Sequence, residues 1–355
     1  MLYATEIRTS DTIVIAAFDV LTYRISKAGS VGARPVVPTG RPSRRRWAWL
    51  CLVLLSLARG TLAQVPDPRS SAPTANQEPI TPIPPAPGAD PLKVMLGKQL
   101  FEDRRLSHDG TVACSSCHDV HTNGADGGRR AAPDGSKPSL NTLTVFNAAL
   151  SFRLNWEGNF RTLESQAESS LENSEHMGTS VDEVLRKLNA DPEVVGEFSN
   201  AYGHPPDRTA LLDAIATYER SLVTPGSRFD RWLGGDTSAL VVEELNGYQL
   251  FKSLGCVSCH QGVNVGGNLF ERQGIFHPLA APTPEILRVP SLRNVATRAT
   301  YFHDGSAPTL VDAVRRMAAA QLDRLLSVQQ IAAIIAFLNT LTGTYHGAPV
   351  VAPPP

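Results

Sequence analysis

The chain has 355 residues, 42% hydrophobic and 19% charged, a globular balance that excludes a wholly disordered chain and leaves room for about two domains. No apolar run reaches the roughly 18 residues of a membrane span, which excludes a polytopic membrane protein. The net charge of −1 divides unevenly: residues 1–63 hold nine Lys/Arg and three acids, so the remainder carries −7, the reverse of what nucleic-acid binding requires.

Arg41-Pro42-Ser43-Arg44-Arg45-Arg46 precedes an apolar stretch at 47–58, and Thr61-Leu62-Ala63 offers small residues before Gln64. Basic region, short apolar region and small-residue exit predict a signal peptide within 1–63, cleaved near Ala63, and export to the periplasm. Twelve residues are short for a membrane anchor. The 40 residues before Arg41 fit no signal design, so the start is expected to be over-extended. Residues 64–90 read as a proline-rich linker, an extended tether with no core of its own. The tail 347–355 reads similarly.

Between them the sequence repeats itself. Gly97-Lys98-Gln99-Leu100-Phe101 leads into Cys114-Ser115-Ser116-Cys117-His118, and Gly247-Tyr248-Gln249-Leu250-Phe251 leads into Cys256-Val257-Ser258-Cys259-His260. Two related modules are expected, 91–238 and 239–346. Apolar residues at three- and four-residue intervals predict helices at 180–188 and 210–222. Thr309-Leu310-Val311-Asp312 reads as a capping box opening a helix that carries Met317. Ser327-Val328-Gln329-Gln330 opens the next, with Ile331, Ile334, Ile335 and Leu338 as its apolar face. No sustained alternating pattern predicts strands.

Of five cysteines, Cys51 falls in the predicted signal peptide and the other four all lie in the two Cys-x-x-Cys-His motifs. That motif is the attachment signature of c-type haem. One helical turn presents two sulfurs to the two vinyl edges of one porphyrin, and the adjoining histidine lies under the iron. A redox dithiol needs no histidine, and a zinc site lacks suitably spaced partner histidines. Two covalent haems are expected, with His118 and His260 as proximal ligands. The fold class expected is all-α, two cytochrome c-like haem domains with long ordered loops. A haem with two protein ligands carries electrons, and one with an open side binds small oxidants. Met317, 57 residues after His260 on a capped helix, is favoured as a sixth ligand over a core-filling role. Met177, 59 residues after His118, keeps open a plain electron carrier with both haems His/Met ligated.

Several short stretches, in this order, carry a resemblance. They are Leu96-Gly97-Lys98-Gln99-Leu100-Phe101 with Leu106-Ser107, Thr144-Val145-Phe146-Asn147, Trp156-Glu157-Gly158, Val289-Pro290-Ser291-Leu292-Arg293-Asn294-Val295 and Tyr301-Phe302-His303-Asp304-Gly305. With the two haem motifs they resemble the bacterial di-haem cytochrome c peroxidase family, which includes MauG. The resemblance implies a peroxidatic haem on His118 and an electron-accepting haem on His260 and Met317. It implies an electron-transfer role for Trp156 between the haems, a distal-pocket role for Gln166, a calcium ligand at Asn141 and a loop histidine, His303, near the second haem.

Two departures stand out. The family's loop histidine that closes the peroxidatic iron at rest would fall near Pro133-Asp134-Gly135, where there is none, and His121 is too close to His118 to cross the haem plane. A five-coordinate resting iron is therefore expected. The family's distal glutamate aligns with His176, with Glu175 one residue earlier; either is a candidate proton-transfer base, or His176 ligates and blocks the iron. The expected activity is reduction of hydrogen peroxide to water with electrons from a small periplasmic carrier, a cytochrome c or a cupredoxin. A homodimer and no nucleic-acid partner are expected. A MauG-like oxidase that modifies a partner protein is the main rival; in that branch a tyrosine replaces the methionine ligand.

Overall fold

The computed structural model describes residues 78–127 and 140–354, all within one compact unit, Val65–Pro355. The predicted signal peptide, Cys51, residues 64–77 and Pro133-Asp134-Gly135 lie outside the described residues.

Among the described residues, nine α-helices dominate: α1 (Pro91–Glu102), α2 (Leu163–Glu172), α3 (Val181–Asn189), α4 (Pro192–Tyr202), α5 (Arg208–Ser221), α6 (Arg228–Leu233), α7 (Val242–Ser253), α8 (Leu310–Leu322) and α9 (Val328–Asn339). Two small antiparallel ladders accompany them, β1 (Phe270–Arg272) with β2 (Ile286–Arg288) and β3 (Thr344–Tyr345) with β4 (Ala348–Pro349). Strands of two or three residues are too short to show a period of two, so no sequence pattern predicted them.

The helices begin where short polar side chains satisfy the first free N–H groups. Asp90 caps α1 ahead of Pro91, Ser180 caps α3, Asp191 caps α4 ahead of Pro192, and Asp207 caps α5. Ser327 and Gln330 form the expected reciprocal box on α9. At α8, Thr309 accepts from the Asp312 N–H, but the Asp312 carboxylate takes the Thr309 hydroxyl; a one-carbon acid does not reach back to the backbone. On α9, Phe337 joins Ile331, Ile334 and Leu338 in the core, while Ile335 is only half-buried.

The repeated Gly-x-Gln-Leu-Phe segments are one packing device used twice. Helix α1 packs on α5, and α7 packs on α9. A Cβ on Gly97 would collide with the Ala214 carbonyl, and one on Gly247 with the Ala333 carbonyl. The close crossing brings Phe101 against Tyr218 (5.3 Å) and Phe251 against Phe337 (5.1 Å). The same phenylalanines reach His118 and His260, at ring separations of 6.4 and 6.3 Å. Gly97→Ala or Gly247→Ala is therefore expected to destabilise by about 1–3 kcal/mol although alanine is the better helix former. A fall in thermal midpoint checks this.

The described part of the proline-rich segment is extended as expected, but it is a strap docked on a core rather than a tether without one. Ile80 is fully buried among Phe229, Tyr248 and Phe337. The Pro79 carbonyl accepts from Gly262 N–H and the Thr81 carbonyl from Arg293. Extended backbone leaves such carbonyls available. The tail is likewise docked: Val350 donates its N–H to Gly343 and is buried with Phe146, Tyr218 and Leu222. Arg293, in a buried ion pair with Asp230 (2.8 Å), joins strap, α6 and the loop carrying Val263.

Candidate functional site

Both Cys-x-x-Cys-His motifs begin as a single 3-10 turn, Cys114–Ser116 and Cys256–Ser258, with the histidine N–H bonded back to the first cysteine's carbonyl. No disulfide joins the described cysteines. Burial, reinforced by Glu219, pushes the Cys114 thiol up to about 12, and burial pushes Cys256 up to about 11. A redox dithiol needs the opposite, a lowered thiol pKa. Each histidine places Nδ1 3.3 Å from a backbone carbonyl, His118 on Gly124 and His260 on Val265. That contact favours the Nδ1–H tautomer and leaves the Nε2 lone pair for a metal. Burial lowers both pKa values, His260 to about 4, so both imidazoles are neutral ligands at pH 7.

The two motifs open onto one cavity of about 1290 Å³ whose lining takes in every site residue expected from sequence. It is large enough for a bulky planar cofactor. The distal segment follows α2. Asn173 caps the helix and its carbonyl accepts from both His176 and Gly178, while Gly178 turns through φ +61°. This tight turn sets Glu175 and His176 at the cavity wall, where both are accessible. His176 is near enough to His118 to depress its protonation. The surrounding protein lowers the His176 pKa, with Glu175 opposing, so the ring is neutral at pH 7. Gln166, one α2 turn from Ser170, donates to its hydroxyl at 2.9 Å. Met177 is buried against Leu96, Leu100 and Leu171, although it also touches the cavity. Met317 lies half-buried on the cavity face of α8.

Trp156 stands at the seam, 8% exposed. Its Nε1 donates to the Asn141 carbonyl (2.8 Å) and its ring meets His303 edge-on at 6.3 Å. Asn141 in turn donates its N–H to the His303 carbonyl and its amide to Thr300 and Phe302. One carboxamide residue thus ties the Trp156 loop to the 300–303 loop. His121 is exposed, its N–H bonded to Asp119.

The comparisons agree with this geometry. Residues 91–238 match the family described as di-haem cytochrome c peroxidase, and residues 245–342 the one described as cytochrome c. The chain is 36% identical over 313 residues to cytochrome c551 peroxidase of Nitrosomonas europaea, covering 83% of this chain and 91% of that protein. It belongs to the di-haem cytochrome c peroxidase family. It is also 38% identical over 294 residues to cytochrome c peroxidase Ccp of Escherichia coli, covering 78% of this chain but spanning 63% of that protein. Methylamine utilization protein MauG of Methylorubrum extorquens is 35% identical over 64% of this chain and 69% of its own length. Among solved structures, a MauG-like protein associated with microbial copper homeostasis superposes with a TM-score of 0.63 and 27% identity, covering 74% of this chain and 93% of that one.

Membership of this family means haem c, and the residues fit it. Cysteines free of disulfides, histidines with Nε2 presented and a shared cavity are what covalent porphyrin attachment needs. Sequence reasoning missed two cavity residues of this peroxidase-family chain, Arg288 and Glu219. The signal for Glu219 was available: it is an acid inside the apolar helix α5, 7% exposed, with Oε2 unpaired among the described residues. Burial pushes its carboxyl up to about 8, Arg220 opposing and Glu164 adding. In the unfolded chain the proton leaves near pH 4.5, so folding loses stability as pH rises from there through 8. Glu219→Gln is expected to be neutral at pH 4 and stabilising by on the order of a few kcal/mol at pH 9. Denaturant midpoints across that range check it.

Proposed function

We propose that this chain reduces hydrogen peroxide to water in the periplasm, drawing two electrons from a small cytochrome c or cupredoxin. Two electrons and two protons convert each peroxide into two waters. The observation that carries the reading is the shared cavity: both motifs open onto it, Trp156 stands at its seam, Glu175 and His176 line it, and His176 lies near enough to His118 to act on its charge.

Cys114, Cys117 and His118 would hold the peroxidatic haem, and Cys256, Cys259, His260 and Met317 the electron-accepting one. Haem, when bound, supplies the redox-active iron that no side chain provides. His176 takes a proton from the peroxide oxygen nearer to it and returns it to the departing oxygen. Glu175 is the fallback base on the same turn. Gln166, half-buried beside them, orients peroxide through its carboxamide. Trp156, held by Asn141 and packed against His303, provides the electron path across the seam. Met177 packs with Leu96, Leu100 and Leu171 as well as touching the cavity, and that packing role argues against the two-methionine carrier. Met317 at the cavity supports a peroxidase over a MauG-like modifier of a partner protein, where a tyrosine would stand.

Asn141 is also the calcium candidate. Its Nδ2 donates to the Thr300 hydroxyl and the Phe302 carbonyl, two neutral oxygens of the six to eight ligands that calcium takes. No group of three His, Cys, Asp or Glu able to hold a metal occurs among the described residues, and no step depends on the ion. The donor is expected to be basic, to complement the −7 of residues 64–355. No described helix is long and apolar enough to cross a membrane. Export and a homodimer complete the reading.

The test is peroxide-dependent oxidation of reduced cytochrome c by the haem-loaded protein, with optical and electron paramagnetic resonance spectra of its resting state. Turnover and a high-spin signal that shifts on adding peroxide are expected. Two low-spin haems indifferent to peroxide would leave only an electron carrier.

A further inference from the structure

Four arginines line the cavity, and they are not equivalent. Arg272 is paired with Glu285. Arg293 is paired with Asp230. Arg298 donates to the Thr142 carbonyl and feels the opposing charge of Asp126. Arg288 is 6% exposed, and among the described residues no carboxylate offsets its charge: burial alone pulls its pKa down to about 10. A buried charge without a partner is costly, so a protein keeps one where a counter-charge arrives with a ligand.

Its placement says which counter-charge. The backbone N–H of Arg288 donates to the Trp156 carbonyl (2.7 Å), and Nε donates to the Asn155 carbonyl (3.0 Å). Asn155 holds a left-handed φ of +68°, so Arg288 braces the turn that presents Trp156. Among the described residues neither Nη atom has a hydrogen bond, and Nη1 lies near Gly267, where the Ser151 hydroxyl and the Asn264 side chain also approach. Nearby titratable groups do not neutralise it. Glu271 pairs in register with Leu287 and so lies on the opposite face of the ladder, Arg272 is a second cation, Glu157 is exposed, and His303 is engaged with Gln273. What remains is a two-pronged cation in a mostly apolar cavity, the geometry that grips a carboxylate.

We propose that Arg288 is the counter-charge for a propionate carboxylate of a haem, holding it at the seam beside Trp156. This rests on the haem reading above. The ion pair keeps the propionate ionised over the working pH range and keeps its negative charge balanced near the iron. Without the arginine, a buried propionate takes up a proton at higher pH than usual. Its ionisation then favours the oxidised haem, so the midpoint potential falls as pH rises.

The experiment is spectroelectrochemical titration of haem-loaded wild type, Arg288→Lys and Arg288→Gln, from about pH 5 to about pH 9. A pyridine haemochrome count is taken on each protein first. We expect flat midpoint potentials for wild type and Arg288→Lys. In Arg288→Gln one potential should be lowered at alkaline pH and recover on acidification. Equal profiles for all three proteins would overturn the proposal. So would equal losses in the lysine and glutamine variants, because lysine keeps the charge and loses only the brace on Asn155. A haemochrome count of zero in the wild type would sink the haem reading itself; two haems with unchanged potentials would sink this proposal alone.

Discussion

Replacing His176 by Ala is expected to lower kcat/KM for hydrogen peroxide by roughly 10²–10⁴-fold, the usual contribution of a positioned proton-transfer group. The resemblance to the family implies a carboxylate at this position, and an imidazole stands there in this chain. It suits the task because its surroundings hold it neutral at pH 7, and a neutral imidazole accepts a proton as readily as it returns one. The turn that delivers it is rigid: the Asn173 carbonyl binds two N–H groups, and Met177 anchors the next residue in the core. A truncation at His176 therefore removes the base without moving the backbone. Affinity for the electron donor and the resting spectra should not change. Glu175→Gln is the companion measurement. A large loss there with full activity in His176→Ala transfers the role by one residue. Loss of a low-spin signal on removing His176 would instead mark it as an iron ligand.

The second large effect is expected at Met317. Met317→Leu keeps the volume and removes the thioether, so the potential of the His260 haem should drop by a sizeable part of the roughly 0.8 V that axial ligands command. Turnover with a high-potential donor should fall at least tenfold, since each 1.36 kcal/mol on the barrier is a factor of ten. Single-turnover reaction of the pre-reduced protein with peroxide should fall far less, because that step uses the other side of Trp156. Redox titration and the two kinetic assays separate the cases. If Met317 merely fills a gap, a leucine of similar shape changes none of them. Its position on the cavity face of α8, a helix capped by Thr309, makes it available.

How much could be read in advance depends on how local each feature is. The 180–188 helix was legible because Ser180, the first-turn acids Asp182 and Glu183 and the last-turn bases Arg186 and Lys187 are contiguous signals of one helix. The tail was not, because Val350 is buried by Phe146, Tyr218 and Leu222, residues more than a hundred positions away. The proline-rich strap misled for a related reason. Its composition indicates extended backbone correctly, but its order comes from Ile80 finding a slot among aromatics of α6, α7 and α9 and from Arg293 reaching Thr81.

The Cys-x-x-Cys-His pairs, the helix starts and the Gly-x-Gln-Leu-Phe repeat were determined by sequence alone. Each is set by hydrogen bonds, spacing or backbone sterics within a few residues. Only the tertiary structure decided that Asn141 couples Trp156 to His303, that Met177 packs in a core while also touching the cavity that Met317 faces, and that Arg288 alone of the four cavity arginines has no described acid beside it. Those facts depend on which distant segments exclude water from one another, and burial is a property of the whole fold rather than of any stretch of chain.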